Sequence, residues 1–131
     1  MKTSNMQSQV AVKYHVWDGR KSTYEMWRGK FMINCASKKC IAGFKIKDED
    51  LPKFPEEGTT AEKKKEYEDA MDPFRVINTD LLEALVNSIN HNKDEGTEAL
   101  KHVFGAKLVH FPEGYASLAM RTLDQRFDNC N

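Results

Sequence analysis

Cysteine is scarce in this chain, and the three present, Cys35, Cys40 and Cys130, cannot all pair within one molecule. A small secreted scaffold stapled by disulfides is therefore not the expected class. No apolar run approaches the length of a membrane span, and the polar stretch from Met1 to Gln9 lacks the apolar core of a signal peptide. Glycine is limited to seven scattered residues, with no Gly-rich loop leading into a helix with Lys-Ser or Lys-Thr, so no phosphate cradle is expected. Net charge is absent too. The 20 Lys and Arg cancel the 20 Asp and Glu, which removes the simplest argument for a nucleic-acid or membrane partner. What is present is 131 residues, 40% hydrophobic and 31% charged, enough for one compact domain that buries roughly two-thirds of its unfolded surface. The expectation is a soluble, cytoplasmic domain.

The zero balance hides an asymmetry. Residues 1–47 hold ten Lys or Arg against two acids, Asp18 and Glu25, for a local charge of +8. Residues 48–72 hold ten acids against four Lys, or −6, and the remainder six bases against eight acids, or −2. One reading is a set of solvated helix faces. The other is that a basic patch on one molecule meets an acidic patch on its neighbour, a contact that salt would weaken.

Catalytic patterns are missing. There is no Gly-x-Ser-x-Gly elbow, and the paired carboxylates Glu56-Glu57 and Glu68-Asp69 sit in charged stretches that read as solubilising surface. His15, His91, His102 and His110 are not in the close ligand pairs that zinc favours. Neither an enzyme nor a metal or other cofactor is expected, and no small-molecule substrate. Arg20, Lys21, Arg28, Lys30, Lys38 and Lys39 surround Tyr24, Trp27 and Phe31, a superficial likeness to a stacking platform for RNA. Helical spacing, however, turns those aromatics toward the core and leaves the bases as a solvated flank.

Periodicity predicts an all-α domain: a compact bundle of four to five short helices, an extended N-terminal segment and a long loop at about 41–58. Residues 1–10 read as a disordered tail, 11–128 as one helical domain and 129–131 as a C-terminal tail. Val12, Tyr14, Val16 and Trp17 suggest an extended segment, and Asp18-Gly19 a turn. Ser22-Thr23-Tyr24-Glu25 has capping-box spacing for a helix over about 22–37. Tyr24, Trp27, Phe31 and Cys35 form its apolar stripe, where Cys35 serves as a small hydrophobe and Gly29 suggests close packing. Ile41, Phe44 and Ile46 are expected to pin the loop to the core. Thr59-Thr60-Ala61-Glu62 opens a mostly solvent-facing helix to about Met71, which Pro73 ends. Asp80 and Glu83 mark a further helix, which can begin as early as Phe74, with Leu81, Leu82, Leu85, Val86 and Ile89 inward. Thr97 is expected to cap a short helix carrying Leu100, Val103 and Phe104, stopped by Gly105. From Pro112 to about Asp128, Ala116, Ala119, Met120, Leu123 and Phe127 line one side and Ser117, Arg121, Asp124 and Asp128 the other.

Three of these blocks, in this order, resemble the Gag proteins of copia-type retrotransposons. Trp17-Asp18-Gly19 followed by Tyr24, Trp27 and Phe31 is similar to the family's aromatic-Asp/Asn-Gly turn and the helix after it. Leu81-Leu82-Glu83-Ala84-Leu85 to Ile89 is similar to its Leu-rich middle helix. Gly114-Tyr115-Ala116 through Ala119, Met120, Leu123, Arg126 and Phe127 is similar to its Gly-x-Ala-x-x-Ala-Trp-x-x-Leu-x-x-Arg-Phe/Tyr helix. Met120 stands where the family usually has Trp, and Trp17 where it usually has Phe. The resemblance spans about residues 11–128. It implies a capsid-like structural protein whose helices make protein–protein contacts in a virus-like particle around RNA, so that the partner is a copy of itself. It also implies the amino-terminal part of Gag, because no second helical half, zinc knuckle or protease signature is present. The alternative from another class is a monomeric helical adaptor that holds a peptide or host protein between its helices. A third reading is RNA binding by the basic first third.

Overall fold

The computed structural model describes residues 16–38 and 40–128. The expectations for the tails at 1–10 and 129–131, for Val12 and Tyr14, and for His15, Lys39 and Cys130 lie outside these residues. The described chain is all-α. Its helices are α1 (Lys21–Ser37), two short 3₁₀ helices (Cys40–Lys45 and Asp48–Asp50), α2 (Ala61–Asn87), α3 (Asp94–Gly105) and α4 (Ala116–Phe127). No β-strand occurs among the described residues, only the isolated bridges Trp17–Ile89 and Leu108–Phe111. No helix of the described residues is long and apolar enough to cross a membrane.

The largest departure from expectation is α2. Pro73 does not end a helix; it lies inside one of 27 residues that replaces the two helices foreseen at 59–71 and from 74 or 80. Proline removes the bond to the Asp69 carbonyl and costs about 3 kcal/mol in a helix interior. Burial on both sides offsets this: Tyr67 and Met71 before it, Leu81, Ala84 and Leu85 after it. Each fully buried large side chain contributes about 1.5 to 3 kcal/mol. The start is set by Thr60, whose hydroxyl accepts the Lys63 N–H at 3.2 Å, while Thr59 donates to the Glu56 carbonyl. The cap is thus one residue later than the Thr59–Glu62 box implies.

Two other caps differ. The N-cap of α1 is Arg20 with no side-chain cap bond, so the Ser22–Glu25 box is not used. Asp18 orders that turn instead, its carboxylate accepting from the Arg20 N–H at 3.0 Å and the Thr23 hydroxyl at 2.8 Å. Helix α3 begins at Asp94, and Thr97 lies within it, donating to the His91 carbonyl at 3.0 Å. Asp94 and Glu95 place negative charge at the positive end of the helix dipole. Phe104, expected on the apolar face of α3, is 49% exposed.

The loop at 41–58 is more ordered than its composition suggests. The 3₁₀ helix Cys40–Lys45 packs against α1, α2 and α4. Gly43 permits this, since a Cβ there would lie 2.7 Å from the Leu81 side chain. Ile46 is buried, and Ile41 and Phe44 pack against the core from partly exposed positions, as the sequence led us to expect. The buried side chains form two clusters. One gathers Trp17, Tyr24, Trp27, Phe31, Leu81, Leu85 and Leu123; the other gathers Ile46, Leu51, Tyr67, Met71, Phe111 and Tyr115. Leu118 packs against both.

Candidate functional site

The residues singled out by the resemblance meet in one place. Trp17 is held as a short extended segment, its N–H donating to the Ser88 carbonyl at 2.8 Å and its carbonyl accepting from Asn90 N–H at 2.8 Å. Its indole stacks on Trp27 at 5.0 Å between ring centroids and meets Tyr24 and Phe127 edge-on at 5.1 and 4.9 Å. Trp27 stacks in turn on Phe31 at 5.1 Å. Leu81 and Leu85 of α2 and Ala119, Met120 and Leu123 of α4 close the same cluster. The aromatics are therefore core, not a platform on which bases could stack.

Three glycines set the backbone approach around this core. Gly19 adopts φ +92°, and a Cβ there would collide with the backbone of Glu95 and Gly96 at the start of α3. Gly96 is just as closely held, against the Asn90 carbonyl. Gly114 adopts φ +144°. Beside it the buried Asn78 donates to the Gly114 carbonyl at 2.9 Å and accepts the Ala116 N–H at 2.8 Å, fixing the start of α4. Helical spacing would have placed Asn78 inward, yet its amide gave no sign of that role. Ser117, expected on the polar side of α4, is buried and donates to the Ile46 carbonyl at 3.3 Å.

A charged cleft of about 420 Å³ opens between α1, the 3₁₀ segment and α4. Met32, Phe44, Ile46 and Met120 contribute its apolar lining. On one side Asp124 receives the Arg28 guanidinium through two bonds, at 2.7 and 3.1 Å, together with the Tyr24 hydroxyl at 2.5 Å. On the other side Asp48 receives the Tyr115 hydroxyl at 2.9 Å and Arg121 at 3.3 Å. Burial, reinforced by Asp124, pushes the Tyr24 phenol well above its ordinary range. Burial and then the Asp48 hydrogen bond push Tyr115 up to about 12. The Arg28 guanidinium is raised by its hydrogen bond to Asp124. Both phenols stay protonated as donors at neutral pH, so the cleft works as a pair of clamps that tie α1 and the 3₁₀ segment to α4.

Two of the basic residues expected to contact RNA or another copy take part in such pairings. Arg20 is bound to Asp18 at 2.7 Å and Arg28 to Asp124. Lys21, Lys30 and Lys38 are exposed. Cys35 is fully buried on the α1 stripe, and the Cys40 thiol lies 3.7 Å from the Cys35 carbonyl. Burial, followed by the neighbouring Cys40 thiol, raises the Cys35 thiol. Among the described residues no group of three or more His, Cys, Asp or Glu is placed to hold a metal ion. Comparison with protein-family models, with curated proteins and with solved structures gives no match to this chain.

Proposed function

We propose that this chain is a capsid-like structural protein of the copia-type Gag class, which works in the cytoplasm by binding copies of itself into a particle around RNA. One observation carries the reading. The three blocks of the resemblance, separated by tens of residues in the sequence, converge on a single aromatic core in which Trp17, Trp27 and Phe31 of the first meet Leu81 and Leu85 of the second and Leu123 and Phe127 of the third. The blocks are thus one packing unit, as a shared family pattern requires. Charge is also segregated along the sequence, +8 in residues 1–47 against −6 in 48–72, which favours contact between oppositely charged parts of neighbouring copies.

Light scattering across protein concentration and salt tests the proposal. Mass should rise with concentration and fall as salt screens the contact. A monomer under every condition would overturn the assembly reading in favour of the helical adaptor. RNA contact has narrower support, since Arg20 and Arg28 are engaged within the fold. The exposed Lys30 would make it, and the absence of RNA binding at low ionic strength would remove it from the account.

A further inference from the structure

Helix α1 carries a second stripe opposite its buried one. Ser22, Met26, Gly29, Ile33 and Ala36 follow one another at steps of four and three residues, and all five are exposed. Met26 is 65% and Ile33 71% exposed. Among the described residues nothing lies within 4 Å of where a Cβ on Gly29 would be, although the sequence suggested that this glycine serves packing within the fold. A glycine in a helix interior costs about 1 kcal/mol relative to alanine, and no internal contact explains this one. The stripe is flanked by Lys21 and Lys30, and Glu25 is the single acid on α1.

Helix α2 presents the complementary face. Glu62, Glu66, Asp69, Asp80 and Glu83 fall on one exposed stripe with Pro73 and Val76 at its centre, Val76 being 63% exposed. Among the described residues Lys30, Glu62, Glu66, Asp80 and Glu83 form no ion pair, while Asp69 is bound to Lys65 at 3.2 Å. From Glu66 to Asp80 the acidic stripe covers about 21 Å of helix, the same length as Ser22 to Ala36 on α1.

We infer that the outer face of α1 on one molecule docks on the outer face of α2 on a second copy. Met26 and Ile33 pack over Pro73 and Val76, Gly29 lets the two helices approach closely, and Lys30 faces the carboxylates. The inference rests on the assembly reading and gives it a surface. The two faces differ, so the contact is heterologous and propagates into rings or open chains instead of closing as a two-fold dimer. Two copies docked through α1 alone would bring like charges together.

The test uses the full chain and two variants, Ile33→Asp for the α1 face and Glu66→Lys with Asp80→Lys for the α2 face. All substituted positions are exposed, and far-ultraviolet circular dichroism checks that each variant folds. By analytical ultracentrifugation the wild type should associate with rising concentration, and each variant alone should associate about tenfold or more weakly. An equimolar mixture should form one-to-one pairs, since the intact α2 of one variant meets the intact α1 of the other. Self-association of the α2-face variant as a dimer would overturn the inference in favour of an α1–α1 contact. Association of both variants equal to wild type would overturn it in favour of another surface, leaving the assembly reading in place. A wild type that stays monomeric throughout would overturn both.

Discussion

Trp27 is the residue on which the core argument leans most. It is 2% exposed and stacked between Trp17 and Phe31 at 5.0 and 5.1 Å. Trp27→Ala should cost about 3 to 5 kcal/mol, the sum of lost burial and the cavity left between two rings held by separate parts of the chain. Domains of this kind have only about 5 to 15 kcal/mol in total, so the loss is a large fraction. At roughly 3 to 5 °C per kcal/mol, the melting temperature should fall by on the order of 10 to 20 °C. Trp27→Phe provides the control. Among the described residues the Trp27 Nε1 has no hydrogen-bond partner, so phenylalanine sacrifices area but no hydrogen bond, and the cost should stay near 1 to 2 kcal/mol. Urea unfolding followed by circular dichroism reads both variants, with an unchanged slope showing that stability alone has moved. A loss below about 1 kcal/mol for Trp27→Ala would refute the placement of this ring in a packed core.

Gly29→Ala should stabilise the monomer by about 1 kcal/mol, because it adds helix propensity where nothing would clash; thermal melts at low concentration check this. Asp124→Ala should cost about 2 kcal/mol in urea unfolding, since it strands the Tyr24 hydroxyl and the half-exposed Arg28, with solvent screening reducing the charge contribution; Asp124→Asn should cost less because an acceptor remains. The Arg20 backbone N–H, with the Thr23 hydroxyl and the Arg20 side chain, holds Asp18 down to about 2. A carboxyl lowered in the folded state stabilises it above its unfolded value and loses that contribution as pH falls. The stability gap between wild type and Asp18→Asn in urea unfolding, on the order of 1 kcal/mol at pH 7, should therefore close between about pH 4 and pH 2.

Much of this architecture is legible in the sequence where spacing alone decides. The stripe Tyr24, Trp27, Phe31 and Cys35 is buried as read, and Gly105 ends α3 as read. Local signals failed where tertiary contacts outweigh them. Pro73 reads as a break because the rule is local, while Met71 and Leu81, both fully buried on either side, favour one straight-through helix. Thr97 and Ser22 have the chemistry of caps, but both lie inside their helices, which begin at Asp94 and, after a turn ordered by Asp18, at Lys21. The clamps at Asp124 and Asp48 were hidden for another reason. Their partners Arg28 and Tyr115 lie 96 and 67 residues away, and a single carboxylate carries no sign of so distant a pair.

Self-assembly is the central claim, and negative-stain electron microscopy of the purified 15.1 kDa chain at high concentration and low salt addresses it most directly. The account predicts regular particles or repeating arrays that disperse when salt is raised. A field of isolated single chains at every concentration and salt would contradict it.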